Sequence, residues 1–97
     1  MIGKRIRELR EADQMLLREL AAKMQMDTAM LSKMERSERP FKKEDIIQLA
    51  RIFKQPQKEL ITLWLADRIL KTIADEEDTI ESLELALKIL KTQNKDE

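Results

Sequence analysis

Apolar residues recur every three or four positions along most of this chain, in six blocks separated by short polar or proline-containing breaks. This spacing marks one face of an α-helix, whereas a half-buried strand would alternate with a period of two. Lys, Glu, Leu, Met and Ala are abundant, and aromatic residues form only 3% of the chain, a composition that favours helices over strands. The sequence therefore predicts an all-α protein.

The polar breaks between the blocks predict where the helices begin and end. Asp27 can act as an N-cap, because its carboxylate can accept the free N–H groups of the following turn. Pro56 suits the first position of a helix, and the acidic run at residues 75–78 suits a helix start. Six helices are expected, over residues 2–13, 16–24 and 28–36 and then beginning near residues 43, 56 and 78.

The size and chemistry of the chain exclude several classes of function. A chain of 97 residues allows one small domain with an appendage rather than two independent cores. Cysteine and histidine are absent, which excludes thiol chemistry, disulfides, the usual zinc sites and imidazole catalysis. The acidic run at residues 75–78 could bind Mg²⁺ only beside a pocket, which a core of this size does not provide. We expect no enzymatic activity, metal, cofactor or small-molecule ligand.

The first ten residues, MIGKRIRELR, are charged at every second or third position and contain no continuous apolar run. Such a segment is neither a secretory signal nor a membrane span. We therefore expect a cytoplasmic protein without membrane association.

Charge is distributed unevenly along the chain, although the net charge is zero. Residues 1–54 contain 13 basic and 9 acidic residues, whereas residues 55–97 contain 6 basic and 10 acidic residues. This division predicts that the N-terminal half could face phosphates while the C-terminal half avoids them.

The stretch MQMDTAMLSKMERS, at residues 24–37, has two distinct helical faces. Met26, Leu31 and Met34 share one face, which we interpret as core because methionine and leucine prefer protein interiors. The other face carries Thr28, Ala29, Met30, Ser32, Lys33 and Arg36. It is small near its beginning and basic near its end, as a helix entering the major groove of DNA requires. Taken alone, this face also fits a solvated surface.

The segment LRELAAKMQMDTAMLSKMERSERP closely resembles the helix-turn-helix of the phage-repressor-like Cro/Xre family of bacterial regulators. The resemblance covers about residues 2–66. The matching positions are Leu20-Ala21, the apolar turn residue Met26, Leu31 in place of a buried Ile, and Glu35 before the loop. The resemblance implies a five-helix DNA-binding domain at residues 1–66, followed by a C-terminal helical dimerisation segment at residues 67–97.

The resemblance also implies a set of contacts with double-stranded DNA. The bases would be read by Thr28, Ala29, Met30, Ser32 and Lys33. Phosphates would be bound at Leu17, Arg36, Arg39, Lys42 and Lys43. Of these residues, Lys33 is expected to be the strongest base contact, because its ammonium group can donate to guanine O6 or N7. Taken alone, the basic run after the third helix would instead be interpreted as a solvated loop.

Two charged residues match a structural ion pair found in many relatives. Arg10 lies in the first helix and Glu35 ends the third helix, so the resemblance predicts that they pair and orient the third helix.

Three residues depart from the family pattern. Gln25 stands at a common turn glycine and is expected to be left-handed, Ser37 replaces a second glycine, and Leu17 replaces a phosphate-binding Gln. At Leu17 only the backbone amide remains as a phosphate ligand.

The C-terminal half carries more apolar surface than a helical hairpin can bury by itself. We predict a homodimer interface, because one recognition helix alone binds DNA weakly and such domains act as two-fold dimers. The expected interface residues are Trp64, Leu65, Ile69, Ile73, Ile80, Leu83, Leu87 and Leu90. The alternative is that the last helix folds back over the first five helices within a monomer.

These observations predict a homodimeric, sequence-specific transcriptional regulator that binds an inverted-repeat operator. Small members of the Cro/Xre family, which this chain resembles, often control restriction-modification genes or act as repressors. A further hypothesis is that the protein regulates its own gene. The alternative is an antitoxin-like interaction module whose C-terminal helices bind a partner protein.

Overall fold

The computed structural model describes residues 1–95, and this part of the chain consists of α-helices without a β-strand. The helices are α1 (Ile2–Ala12), α2 (Leu17–Met24), α3 (Thr28–Glu35), α4 (Lys43–Ile52), α5 (Gln57–Ile73) and α6 (Thr79–Lys95). The all-α prediction is confirmed, and the observed ends lie within one residue of the predicted ones. Pro56 is the N-cap of α5 rather than its first residue, because its ψ of 124° is not helical.

Side-chain carboxylates cap three of these helices at their first turns. Asp27 accepts the N–H groups of Ala29 at 2.7 Å and Met30 at 3.3 Å, as predicted for an N-cap. At α2 the N–H of Leu16 donates to Glu19 at 3.1 Å, and at α4 the N–H of Lys42 donates to Asp45 at 2.9 Å. These local bonds explain why the helix starts can be predicted from sequence.

Helices α1 to α5 enclose one apolar core. Helix α1 packs on α3 and α5, α2 packs on α3, and α4 packs on α5. The most completely enclosed side chains are Ile6, Leu20, Leu31, Ile46, Leu49 and Leu60. Each such side chain stabilises the fold by about 1.5–3 kcal/mol relative to an exposed one. Because Trp64 is the last buried residue of α5, the core ends about halfway along that helix.

Gly3, the single glycine of the chain, lies where α1 crosses the end of α3. A Cβ atom at this position would lie 2.6 Å from the carbonyl oxygen of Met34 and 2.7 Å from that of Glu35. Backbone atoms cannot yield as a flexible side chain would, so a hydrogen atom at this position permits the close approach of the two helices.

Replacing Gly3 by alanine is therefore expected to lower the free energy of unfolding, by about 1–3 kcal/mol from overpacking. This loss opposes the gain of about 1 kcal/mol that alanine normally brings inside a helix. Urea denaturation followed by circular dichroism measures the difference. A more stable variant would show that the two helices can move apart without cost.

Within the part of the chain that the structure describes, no other helix covers the apolar side chains of α6. Ile80, Leu83, Leu85, Leu87, Ile89 and Leu90 are all between 37% and 65% exposed. In this structure α6 therefore does not fold back over the first five helices. Among the described residues, no helix combines the length and apolar character needed to cross a membrane.

Candidate nucleic-acid interface

Helices α2 and α3 are joined by a three-residue turn that fixes their relative orientation. Gln25 has φ 54° and ψ 45°, so the left-handed conformation predicted at this position is confirmed. The N–H of Met26 then donates to the carbonyl of Ala21 at 3.0 Å, and Asp27 caps α3. This conformation costs a non-glycine residue about 1 kcal/mol. Hydrogen bonds therefore stabilise the turn, although Gln25 stands where the family commonly has a glycine.

The two faces of α3 differ in burial largely as the sequence predicts. Leu31 and Met34 are buried, and Met26 in the preceding turn is half-buried against the core. On the opposite face, Thr28, Ala29 and Lys33 are exposed. These three side chains lie together on the first turns of α3 and are accessible to a ligand.

Two of the expected base-reading residues are less exposed than the sequence suggests. Met30 and Ser32 are half-buried, and Met30 packs against the core. The long, flexible side chain of Met30 lines one open cavity together with Met26 and Met34. Part of Met30 therefore contributes to packing rather than to the outer face.

Arg10 and Glu35, the pair expected from the sequence, form a bidentate contact. Arg10 Nε donates to Glu35 Oε2 at 2.8 Å, and Nη2 donates to Glu35 Oε1 at 3.0 Å. A third group, Nη1, donates to the carbonyl of Met15 at 2.9 Å. The hydrogen bond to Glu35 raises the pKa of Arg10 above its ordinary value, so the guanidinium remains charged. Arg10 thus joins α1, the α1–α2 loop and the end of α3, and holds α3 in place.

Basic residues surround the loop between α3 and α4. Arg39, Lys42 and Lys43 are exposed, and both Arg39 and Lys42 line the open cavity that contains Met30. Arg36 is also exposed, but its guanidinium lies 3.2 Å from the Glu38 carboxylate. Met30 of α3 and the loop residues Arg39 and Lys42 therefore border one cavity, so cations lie beside α3, as phosphate contacts flanking a groove-binding helix require.

Leu17 occupies the first position of α2. Its side chain is half-buried against the core and cannot contact a phosphate. Its N–H belongs to the first turn, where backbone N–H groups have no intrahelical acceptor. The backbone N–H is therefore the one group of Leu17 that could bind an anion, and a phosphate contact at this position stays a prediction.

The sequence predicts Trp64 in the dimer interface, but the structure buries this side chain. Its side chain is only 7% exposed, and Nε1 donates to the carbonyl of Phe41 at 2.7 Å. The ring lies between α5 and the α3–α4 loop, so it belongs to the apolar core enclosed by α1 to α5. The other expected residues of α5 are more accessible: Leu65 and Ile69 are exposed, and Ile73 is half-buried.

Asp67 is a positioning residue that the sequence analysis missed. Its carboxylate accepts the backbone N–H of Ile2 at 2.6 Å and so ties the start of α1 to α5. Helix α5 also passes without interruption through residue 66, where the sequence predicts the end of the DNA-binding domain. No sequence signal marks Asp67, because its partner lies 65 positions away along the chain.

Comparison with known proteins identifies the family of this chain. No protein of curated function and no solved structure is significantly similar to it. A family model described as "Helix-turn-helix domain" matches residues 2–63, nearly two thirds of the chain, in agreement with the Cro/Xre-type resemblance. The match spans α1 to α4 and the first part of α5, and therefore includes the turn at Gln25 and the whole of α3. The chain therefore belongs to the helix-turn-helix domain family, whose members include DNA-binding regulators.

Proposed function

We propose that this protein is a sequence-specific transcriptional regulator that binds an inverted-repeat operator as a homodimer, with α3 of each copy in the major groove. The observation that carries the proposal is that α3 exposes Thr28, Ala29 and Lys33, while Arg39 and Lys42 of the next loop line a cavity with Met30 of the same helix. Thr28 and Ala29 are short enough to permit close approach to the bases, and Lys33 lies one turn further along the same helix.

Each side chain of this face has a distinct capacity for base recognition. Lys33 can donate to guanine O6 or N7, and Thr28 can bond a base edge or a phosphate. Ala29 and the accessible part of Met30 can touch thymine methyl groups, whereas Ser32 is more peripheral. The proposed phosphate ligands are the Leu17 amide and the side chains of Arg36, Arg39, Lys42 and Lys43.

A dimer is proposed because apolar side chains beyond the core are left uncovered. Residues 67–97, together with Leu65, are assigned to the interface, and residues 1–66 to DNA binding. The proposed interface consists of Leu65, Ile69, Ile73, Ile80, Leu83, Leu87 and Leu90. All of these except the half-buried Ile73 are exposed in the single chain, which is expected of residues that a second copy would cover.

The Cro/Xre resemblance adds two points to this proposal. Dimerisation would control how much of the operator is occupied, and the protein would regulate its own gene, as in restriction-modification controllers.

A second candidate function rests on the same apolar face. An antitoxin-like module would use α5 and α6 to bind a partner protein, and DNA binding would be secondary. A purified protein that remains monomeric with this face exposed would favour the second candidate.

The proposed function is tested by selecting random duplexes with the purified protein at about physiological salt, followed by sequencing of the retained DNA. We expect enrichment of an inverted repeat whose half-sites lie about 34–36 Å apart, one helical turn. DNA retained without enrichment would contradict sequence specificity. Failure to retain any duplex would contradict DNA binding itself.

Replacing Lys33 by alanine is expected to relax base preference at one position of each half-site, at a cost of about 1–3 kcal/mol in discrimination. The measurement is binding of the selected duplex and of single-base variants. Lys42→Ala is the matched control, since loss of a phosphate contact should weaken binding equally on all these sequences. Uniform weakening by Lys33→Ala would instead make Lys33 a phosphate contact.

A further inference from the structure

The basic surface of the α3–α4 loop continues onto α5. Arg68 lies with Lys42, Lys43 and Trp64 around one open groove, and all three basic side chains are exposed. Lys71, also exposed, lies one turn beyond Arg68 on α5. Cations that are widely separated in sequence therefore border a single surface.

A second cavity is lined by some of the same residues. Arg39 of the loop and Arg68 and Lys71 of α5 all line it, together with the aromatic rings of Phe41 and Trp64. The two buried aromatic residues thus border both cavities, together with basic residues of the loop and of α5.

Arg68 is held in position by a chain of contacts that leads back to the loop. Its guanidinium carbon lies 4.9 Å from the centroid of the Trp64 ring, within cation–π range. Trp64 in turn donates to the carbonyl of Phe41, the residue directly before Lys42. The position of the Arg68 head group is therefore coupled to the residues proposed to bind phosphate.

The hydrogen-bonding capacity of Arg68 is not consumed within the protein. Stacking of a guanidinium on a ring leaves its N–H groups free at the edge, and these match the geometry of a phosphate. The ion pairs formed among residues 1–94 do not include Arg68. The adjacent carboxylate of Asp67 is already engaged by the N–H of Ile2.

Like charges around one groove repel one another, and a bound polyanion lowers that repulsion. We propose that Arg68, held on the ring of Trp64, binds a phosphate of the DNA backbone, so that the contact surface of Lys42 and Lys43 extends onto α5. Lys71 adds to the attraction at the edge of this surface. The inference rests on the proposed DNA binding, and it assigns to DNA a residue from the half of the chain that is acidic overall.

The test measures how the affinity for DNA depends on salt concentration. A random-sequence duplex of about 30 base pairs is a sufficient probe, since phosphate contacts also supply non-specific binding. Arg68→Ala is expected to make the slope of log K against log salt shallower by about 0.9, the value for one phosphate contact. Arg68→Lys, which retains the charge, is expected to keep most of the slope.

The matched control is Lys58→Ala, an exposed cation in the first turn of the same helix, about 15 Å from Arg68 at 1.5 Å per residue. Its slope is expected to equal that of the unmodified protein. Thermal melting of each variant measures whether the fold is retained.

Two results with the variants would overturn the inference while leaving the proposed DNA binding intact. An unchanged slope for Arg68→Ala, even with weaker binding, would give Arg68 only a packing role on Trp64. Equal changes for Arg68→Ala and Lys58→Ala would reflect net charge rather than a contact at Arg68. If the unmodified protein bound no duplex even at low salt, the proposed function would fail together with this inference.

Discussion

Replacement of Arg10 by alanine is expected to lower the free energy of unfolding by about 3–5 kcal/mol, the range for breaking a buried ion pair by removing one partner. Glu35 is only 7% exposed, and it would lose both hydrogen bonds from the guanidinium. The carbonyl of Met15 would lose its bond as well. Because small domains are stable by only about 5–15 kcal/mol, this variant is expected to be largely unfolded under mild denaturing conditions.

The matched control is Arg7→Ala in the same helix. Arg7 Nε lies 2.9 Å from a Glu11 carboxylate oxygen, as close as in the Arg10 pair, but both side chains are more than half exposed. Removal of an exposed pair of this kind costs at most about 1 kcal/mol. Urea denaturation of both variants measures the difference, and equal small losses would show that solvent screens the Arg10 pair too.

A double replacement identifies the physical cause. Arg10→Met combined with Glu35→Leu removes both charges and leaves apolar volume, which is often neutral for stability. If this double variant regains most of the stability lost by Arg10→Ala, the loss arises from the uncompensated carboxylate. A double variant as unstable as Arg10→Ala would assign the loss to the Met15 carbonyl and to packing instead.

The features that could be predicted from the sequence are those set by local contacts or by family position. Asp27 can be identified as an N-cap because its hydrogen bonds reach only two and three residues along the chain. The left-handed conformation of Gln25 follows from the single turn position that the residue occupies. The Arg10–Glu35 contact spans 25 residues, and only the resemblance to known regulators pointed to it.

The features that could not be predicted depend on which elements meet in space. Helix α5 is apolar on more than one side, so its pattern does not distinguish the core residue Trp64 from the exposed Leu65. The role of Gly3 depends on carbonyl groups more than 30 positions away. The division into basic and acidic halves likewise does not show that Arg68, from the acidic half, shares an open groove with Lys42, because this depends on the packing of α5 on α4.

Leu87→Glu is expected to convert the proposed homodimer into monomers. Leu87 lies within the stripe formed with Ile80, Leu83 and Leu90, which recurs at spacings of three and four residues. A carboxylate placed between two such stripes would lose its hydration without gaining a partner. Loss of the second recognition helix should then lower the affinity for an inverted repeat by about 10²–10⁴, the usual range of avidity for linked binding sites. Sedimentation and duplex binding measure the two effects.

Leu85→Glu provides the matched control on the same helix. At about 3.6 residues per turn, Leu85 lies on roughly the opposite side of α6 from this stripe, although it is similarly exposed. The same change of charge there should leave both the dimer and the affinity for DNA intact. If Leu87→Glu stayed dimeric, the interface would have to lie elsewhere on the protein. If the unmodified protein were itself monomeric, the uncovered stripe would require a different occupant, and the antitoxin-like function would become the better explanation of α6.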